Sequence, residues 1–267
     1  MPDTNLQILI ATYGEAGLRR TASMSLPKVA GVEYIVSCQI GDGAAPEIPD
    51  ALCRSDIRVM MTPGRGLCAN RNALLAVADA EYVLIADDDM CYTEERLVAL
   101  CEDLSRDLVD IRTYRIEGAG SKVYPAERLC LDKAAPRGYY PSSVEIALRT
   151  DATKRSGLCF CELFGIGAPR LGCGEEDILL WNARRLGLHI EYVPLTIGLH
   201  TGGPSTGQRP PTPEIWRARG AVLFLTRGCT WWMRIARQAL RAHSMSALRL
   251  MLAGAGYARR HRKDIAL

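Results

Sequence analysis

The chain has 267 residues, 48% hydrophobic and 24% charged, a balance that excludes wholesale disorder and allows one large domain or a domain with an extension. No apolar stretch approaches the length of a membrane span, since Ala221 to Leu225 is closed off by Arg219 and Arg227. Net charge is only +3, but from Arg209 onward twelve basic residues meet two acids, Glu214 and Asp264, so that part carries +10 and residues 1–208 carry −7.

In chain order, Met1 to Asn5 lack the basic-then-apolar pattern of a secretory signal, so a cytoplasmic protein is expected. Leu6 to Ala11 form a short apolar run broken by Thr12-Tyr13-Gly14-Glu15, with a helical stretch following to about Leu26. Val32 to Cys38 read as a second strand ending in the turn cluster Gly41-Asp42-Gly43, and Ile57 to Met61 as a third. Gly66 to Ala78 have helical spacing. Tyr82 to Ala86 read as a strand buried on both faces, followed by a helix from about Thr93 to Arg106 and a strand from Val109 to Arg115. Thr93 can cap that helix, and Glu94-Glu95 suit its positive end.

This alternation predicts an α/β fold with a mostly parallel central sheet and helices on both faces. Residues 117–142 look irregular, Val144 to Arg149 return to strand, Glu175 to Leu186 read as helix stopped by Gly187, and His189 to Val193 as strand. Residues 198–213 look like a long functional loop, and Pro213 to His261 are helical and amphipathic. The expected division is therefore a domain over 1–208 and a basic helical extension over 209–267. Ten cysteines without a C-x-x-C pair read as reduced core residues, and Cys159-x-Cys161 as small apolar filler.

Four constellations could carry chemistry. Asp87-Asp88-Asp89 stand at the tip of the 82–86 run, where three carboxylates repel one another and need a cation, a hydrogen-bond network or open water. Strand C-terminal ends bind ligands in open α/β sheets, and hard Mg²⁺ or Mn²⁺ takes carboxylates plus substrate phosphates. Arg65-Gly66-Leu67 through Arg71-Asn72 open a helix, a natural anion site. Gly174-Glu175-Glu176-Asp177 open another, where the acids either answer the helix dipole or present a general base whose pKa the dipole tends to lower. His200 to Gly207 form a polar, Gly-rich loop after a strand, in which His200 is a ligand candidate.

In this order and spacing the four resemble the family 2 glycosyltransferases, inverting enzymes of the GT-A (Rossmann-like) fold that use nucleotide-diphosphate sugars. Ala11 to Glu15 look like that family's first-strand motif, which implies donor contacts by Thr12, Tyr13 and Glu15. Gly41-Asp42-Gly43 is similar to its second-strand turn, with Asp42 or Gln39 reading the base. Gly66-Leu67 with Asn70-Arg71-Asn72 matches its G-L-x-x-x-R-N element, and Asp87-Asp88-Asp89 its D-x-D motif.

Gly174 to Asp177, followed by Leu180 and Arg184, matches the G-x-E-D element. The resemblance implies Asp177 as catalytic base, with Glu176 positioning the acceptor or orienting Asp177. It implies Asp89 and His200 as ligands of Mn²⁺ or Mg²⁺, and Arg71, Asp87 and Asp88 on the nucleotide-sugar, Asp88 alternatively giving a second bond to metal or sugar.

The first acid of the second turn is Gly41 here, and the acceptor motif Q/R-x-x-R-W of processive members is missing, which favours addition of one sugar to a glycan or lipid-linked acceptor, with UDP as the expected nucleotide. A sugar-phosphate nucleotidyltransferase is the enzymatic alternative, but its basic Gly-rich loop is replaced by Thr12-Tyr13-Gly14-Glu15. A peripheral membrane protein on a degenerate GT-A domain is the alternative from another class. Residues 231–263 mix Trp231, Trp232, Met233, Ile235 and Leu240 with regularly placed arginines, as an interfacial helix on an anionic membrane does, whereas nucleic acid is not an expected partner.

Overall fold

The apolar runs form the strands the pattern predicts, and they lie side by side. The structure, a computed structural model, describes residues 6–118, 120, 122–133, 135–136, 138–203 and 210–267. Met1 to Asn5 and, in the loop after His200, Pro204 to Arg209 lie outside the described residues.

In chain order the elements are β1 (Leu6–Tyr13), α1 (Gly14–Ala22), β2 (Val32–Gln39), β3 (Ile57–Thr62), α2 (Leu67–Val77), β4 (Tyr82–Asp87) and β5 (Met90–Cys91). Next come α3 (Glu94–Leu104), β6 (Ile111–Glu117), β7 (Leu129–Cys130), β8 (Ile146–Arg149), α4 (Thr150–Ser156), α5 (Glu175–Arg185) and β9 (Ile190–His200). The chain ends in α6 (Pro213–Thr226), α7 (Trp231–Arg241), α8 (Met245–Arg260) and α9 (Arg262–Ile265).

One sheet runs β3-β2-β1-β4-β8-β6-β9-β5, with β7 also pairing β9. β1, β2, β3 and β4 pair in parallel, β6 and β9 continue in the same direction, and β5, β7 and β8 run against them. Alternate residues of each central strand go to opposite faces, as a period of two requires. Ile8, Ile10, Tyr34, Leu84 and Ala86 pack with Leu18 of α1 and Leu97, Leu100 and Leu104 of α3. Leu9, Ala11, Ile35, Val83 and Ile85 pack with Leu74 of α2 and Leu179, Leu180 and Ala183 of α5. Helices therefore cover both faces, and the predicted α/β fold holds. Thr93 caps α3 by accepting from the Arg96 amide.

Three local expectations are corrected. α4 was not predicted: Thr150 to Ser156 have no apolar period, and the helix ends in a left-handed Gly157 (φ +70). β9 reaches His200 instead of stopping at Val193, because Pro194 sits in an irregular stretch where no ladder hydrogen bond is asked of it. Across that stretch β6 advances from Thr113 to Ile116 while β9 advances from Tyr192 to Gly198, so β9 holds three extra residues. The cysteines are all free, but Cys53, Cys130 and Cys229 lie at the surface, not in the core.

The C-terminal helices dock on the sheet domain. Ala218, Ala221 and Leu225 of α6, Ala258 of α8 and Ile265 of α9 share a cluster with Phe164, Leu171 and Ile178. α6 and α8 cross where Gly220 faces the Met251 carbonyl and Gly254 the Arg217 carbonyl, with no room for a side chain at either glycine. Among the described residues no helix is long and apolar enough to cross a membrane.

At the C-terminal edge of the sheet one buried cation joins the layers. Arg71 of α2 is 1% exposed; it donates to Asp87 at the tip of β4 (2.7 Å) and to Ser143 before β8 (2.9 Å), and reaches Glu175 at the start of α5 (3.4 Å). Its guanidinium also lies over the Phe160 ring, 5.3 Å from the centroid. Removing one partner of a buried ion pair strands the others without compensation, so Arg71→Met is expected to cost about 3 kcal/mol of stability, measured by urea unfolding. A loss within about 0.5 kcal/mol would mean that the cation does not hold the layers together.

Candidate active site

The first constellation gathers where β1, β2 and β4 end. Tyr13 is exposed, with the Arg65 guanidinium 5.4 Å from its ring centroid and the left-handed Gly41 (φ +57) beside its hydroxyl. Asp42 follows in the exposed turn, and Glu15 is exposed and paired with Arg19 at 2.5 Å. Gln39 is buried and accepts the Gly66 amide (2.9 Å), so its carbonyl is committed to holding the α2 entrance. Asn70 donates to the Thr12 and Ser37 carbonyls, and Asn72 exchanges two hydrogen bonds with the Phe160 backbone. The 65–72 stretch is thus largely a clamp between β1, β2 and the segment before α5.

The three aspartates have three environments. Asp87 is bound to Arg71 and keeps part of its carboxylate in solvent. Asp88 is closed in by Thr12 (2.5 Å) and by Arg20 (2.8 and 3.3 Å), a partner that sequence reasoning missed because it lies 68 residues away on α1. The hydrogen bond to Asp88 is the main reason the Arg20 pKa lies above the usual guanidinium value. Asp89 faces His200 across the antiparallel β5–β9 pair, Oδ2 to Nε2 at 3.2 Å. Its Oδ1 is buried, with no hydrogen-bond partner among the described residues. Burial pushes the Asp89 carboxyl above the usual range, His200 opposes this, and the charges of Asp87 and Asp88 add to the rise.

A buried, unpartnered carboxylate oxygen beside an imidazole nitrogen is a donor set that suits a divalent cation with open positions. Gly202 keeps that corner clear, since a Cβ there would collide with the Asp89 carboxylate. A groove of about 600 Å³ runs beside it between α1 and the 201–202 backbone, lined by Arg19, Arg20, Asp88 and Asp89 among others.

The third constellation opens α5. Gly174 takes a left-handed conformation (φ +87) against Val222 of α6, turning the chain into the helix. Glu175 points inward to Arg71, a role that sequence reasoning did not assign to it. Glu176 is half-buried, and burial, with Glu175 and Asp177 adding, pushes its pKa well up. Asp177 stays open to solvent on one side while protein surrounds it on the others. The expectation that the helix dipole lowers the Asp177 pKa is corrected: burial raises it, Glu175 adds to the rise, and Arg227 and Arg184 only partly offset it.

Beside these acids lies a cluster the sequence did not reveal. Lys122 is buried, bound to both carboxylate oxygens of Glu145 at 2.6 Å and ringed by Tyr124, Tyr139 and Tyr140 at 4.9–5.8 Å. Burial lowers the Lys122 pKa against the pull of Glu145. The only sequence signal was Tyr139-Tyr140, because the surrounding 117–142 stretch has no period.

Residues 42–160 match the model of the family described as "Glycosyl transferase family 2". The matched segment holds Asp42, Arg71 and the three aspartates; Thr12, Asp177 and His200 fall outside it. No curated protein matches the sequence. Among solved structures the chain is similar to residues 1–349 of TarS from S. aureus, with TM-score 0.56, 15% identity and coverage of 83% of this chain and 65% of that one. The same TarS segment in complex with UDP-GlcNAc gives TM-score 0.57, 16% identity and coverage of 83% and 66%. Its complex with UDP gives 0.55, 15%, 83% and 65%. The chain thus spans just under two thirds of these TarS segments, and the likeness is one of fold. Family match, motif order and shared architecture make this chain similar to the family 2 glycosyltransferases, with the sequence match confined to residues 42–160 and the GT-A fold shared over most of the chain.

Proposed function

We propose that the chain moves one sugar from a UDP-sugar to a hydroxyl of a glycan or lipid-linked acceptor, inverting the anomeric carbon. The observation that carries this reading is the pairing of two differently tuned carboxylate sites at one end of the sheet. Asp89 with its unpartnered oxygen lies on one side, Asp177 with its raised pKa on the other, and Arg71 joins their supports through Asp87 and Glu175. TarS crystals containing UDP-GlcNAc or UDP on the same fold support the choice of donor class.

Tyr13, Arg65 and Asp42 would wall the base, and Asp87 would take the ribose through the oxygen not used by Arg71. Thr12, Arg71 and Asp88 act from beneath, holding the strand tips rather than touching the donor. Asp89 and His200 would hold Mn²⁺ or Mg²⁺, with Mn²⁺ the better match to an imidazole ligand. Bound there, the cation would offset charge on the departing diphosphate. Asp177 takes the proton of the acceptor hydroxyl, and its raised pKa makes it a stronger base than an ordinary aspartate. Glu176, next to Asp177 and with its pKa pushed up by burial, would position the acceptor or orient Asp177.

A second component concerns where the enzyme works, and α7 supplies the observation. Ile235 and Ala239 of α7 are buried, and Trp231 packs edge-on against Phe224 at 5.5 Å. At 3.6 residues per turn, Trp232, Ala236, Leu240 and Met233 fill the next arc of about 100°. Within that arc Trp232 is 57% and Leu240 74% exposed. Arg234, Arg237 and Arg241, all exposed, follow on the adjoining arc. An apolar strip bordered by cations suits an anionic lipid surface, the composition of a cytoplasmic leaflet, and would bring the site to a lipid-linked acceptor.

Three outcomes are expected. Asp177→Asn should keep UDP affinity and lose about three orders of magnitude or more in kcat. The acid limb of the wild-type pH profile should lie above the ordinary aspartate value of about 4, because the base works only when deprotonated; near-wild-type turnover by the variant would remove Asp177 as base. Asp89→Ala should abolish the Mn²⁺-dependent part of UDP binding in calorimetry, and unchanged affinity with and without Mn²⁺ would rule out the metal role. The intact protein should sediment with vesicles containing phosphatidylserine but not with pure phosphatidylcholine, and Trp232→Ser with Leu240→Ser should leave it in solution. Equal partitioning of both forms would remove the membrane contact.

A further inference from the structure

Far from the site, at the opposite end of the sheet, the last residue of β7, the loop after it and the residue before β9 bring a thiol, a carboxylate and an imidazole together. The ligand atoms of Cys130, Asp132 and His189 all lie within 4.8 Å of one another. β9 from Ile190 to Leu199 is matched by only six steps of β6, Ile111 to Glu117, which still puts about 20 Å between its two ends. The cluster is therefore no part of the donor site.

The backbone fixes this group before any ligand arrives. Leu129 pairs with Tyr192 and Cys130 with Glu191, and the Leu131 amide donates to the Ile190 carbonyl at 2.7 Å. The Ile190 amide holds Asp132 Oδ1 at 2.7 Å, leaving Oδ2 to face His189 Nδ1 at 2.8 Å. The His189 amide is itself anchored to Asp110 (2.9 Å). Cys130 and His189 are open to solvent, so an ion could reach them, and Asp132 is half-buried and oriented from behind.

We propose that Cys130, Asp132 and His189 form a second metal site, for Zn²⁺ or a similar borderline cation, with solvent in the fourth position. Thiolate, imidazole and carboxylate are the ligand types of tetrahedral zinc, whereas the Asp89 corner offers a hard cation one carboxylate oxygen and one imidazole. On binding, the Cys130 thiol gives up its proton to solvent, and the His189 imidazole binds as its Nε2–H tautomer, so that Nδ1 faces the ion in place of Asp132. One proton is released, and no redox partner is needed. The ion would staple the two-residue β7, and with it the 118–145 segment that carries Lys122, Tyr124 and Tyr139, onto β9.

The test is a titration of the reduced, metal-free full chain with Co²⁺, followed by displacement with Zn²⁺ in the presence of a chromophoric chelator. Wild type should take up one equivalent with a thiolate-to-cobalt charge-transfer band. Cys130→Ser should lose the band and bind Zn²⁺ at least about tenfold more weakly, and His189→Ala should weaken Zn²⁺ similarly. Cys53→Ser and Cys229→Ser, which alter the other surface thiols, should leave both signals intact. Zn²⁺ should also slow protease cleavage within 118–145 in wild type but not in Cys130→Ser. Equal Zn²⁺ affinity in wild type and Cys130→Ser, or a band that follows Cys53 or Cys229, would overturn the proposal. Mn²⁺-dependent UDP binding, read on the same variants, reports the Asp89 site separately.

Discussion

A buried guanidinium makes this architecture possible. Arg71 gives up hydration over its whole surface, a cost that only close carboxylates and hydroxyls can offset, and Asp87, Glu175 and Ser143 come from three separate parts of the chain to do so. Once that cation is in place, the end of β4, the turn before β8 and the entrance to α5 are fixed relative to one another. The chemistry assigned to Asp89 and Asp177 depends on that spacing, although Arg71 touches neither. A lysine could supply the charge there but not the fork that reaches several acceptors at once.

The same logic separates the three consecutive aspartates. Adjacent carboxylates on one strand tip would repel if all were treated alike, but each meets a different partner. Arg71 neutralises Asp87 from below, Arg20 and Thr12 occupy Asp88, and among the described residues Asp89 keeps an oxygen without a partner. Two cations fixed by the fold thus leave one carboxylate available for a cation from outside. This difference among neighbours is what supports the proposal that Asp89, rather than Asp87 or Asp88, would meet a metal.

Much of the frame was legible because it rests on short-range chemistry. The runs Leu6 to Ala11, Val32 to Cys38 and Tyr82 to Ala86 have no polar residue able to survive on a solvent face in quantity, so they had to be buried strands. Thr93 signalled its helix because its hydroxyl reaches an amide three residues on. What stayed hidden depends on distance in sequence. Arg20 meets Asp88 and Lys122 meets Glu145 only after the sheet is assembled. The Asp177 environment reversed a local argument: a helix dipole is a small effect beside burial of the carboxylate on its protein side and the charge of Glu175. α4 and the far half of β9 were missed because one has no apolar face and the other carries Pro194 and Gly198, ordinarily breakers.

Those three extra residues of β9 have a consequence for how the chain can vary. Side chains on a strand alternate, so His200 faces Asp89 only while the number of residues between Tyr192 and the pairing with β5 keeps its present parity. Loss or gain of a single residue around Pro194 could leave every ladder bond re-formed and still turn the imidazole to the wrong side of the sheet. Changes of two would restore it. Length variation in this stretch should therefore come in even steps, a constraint on descent written in the pleat of one strand and not in the identity of any side chain along it.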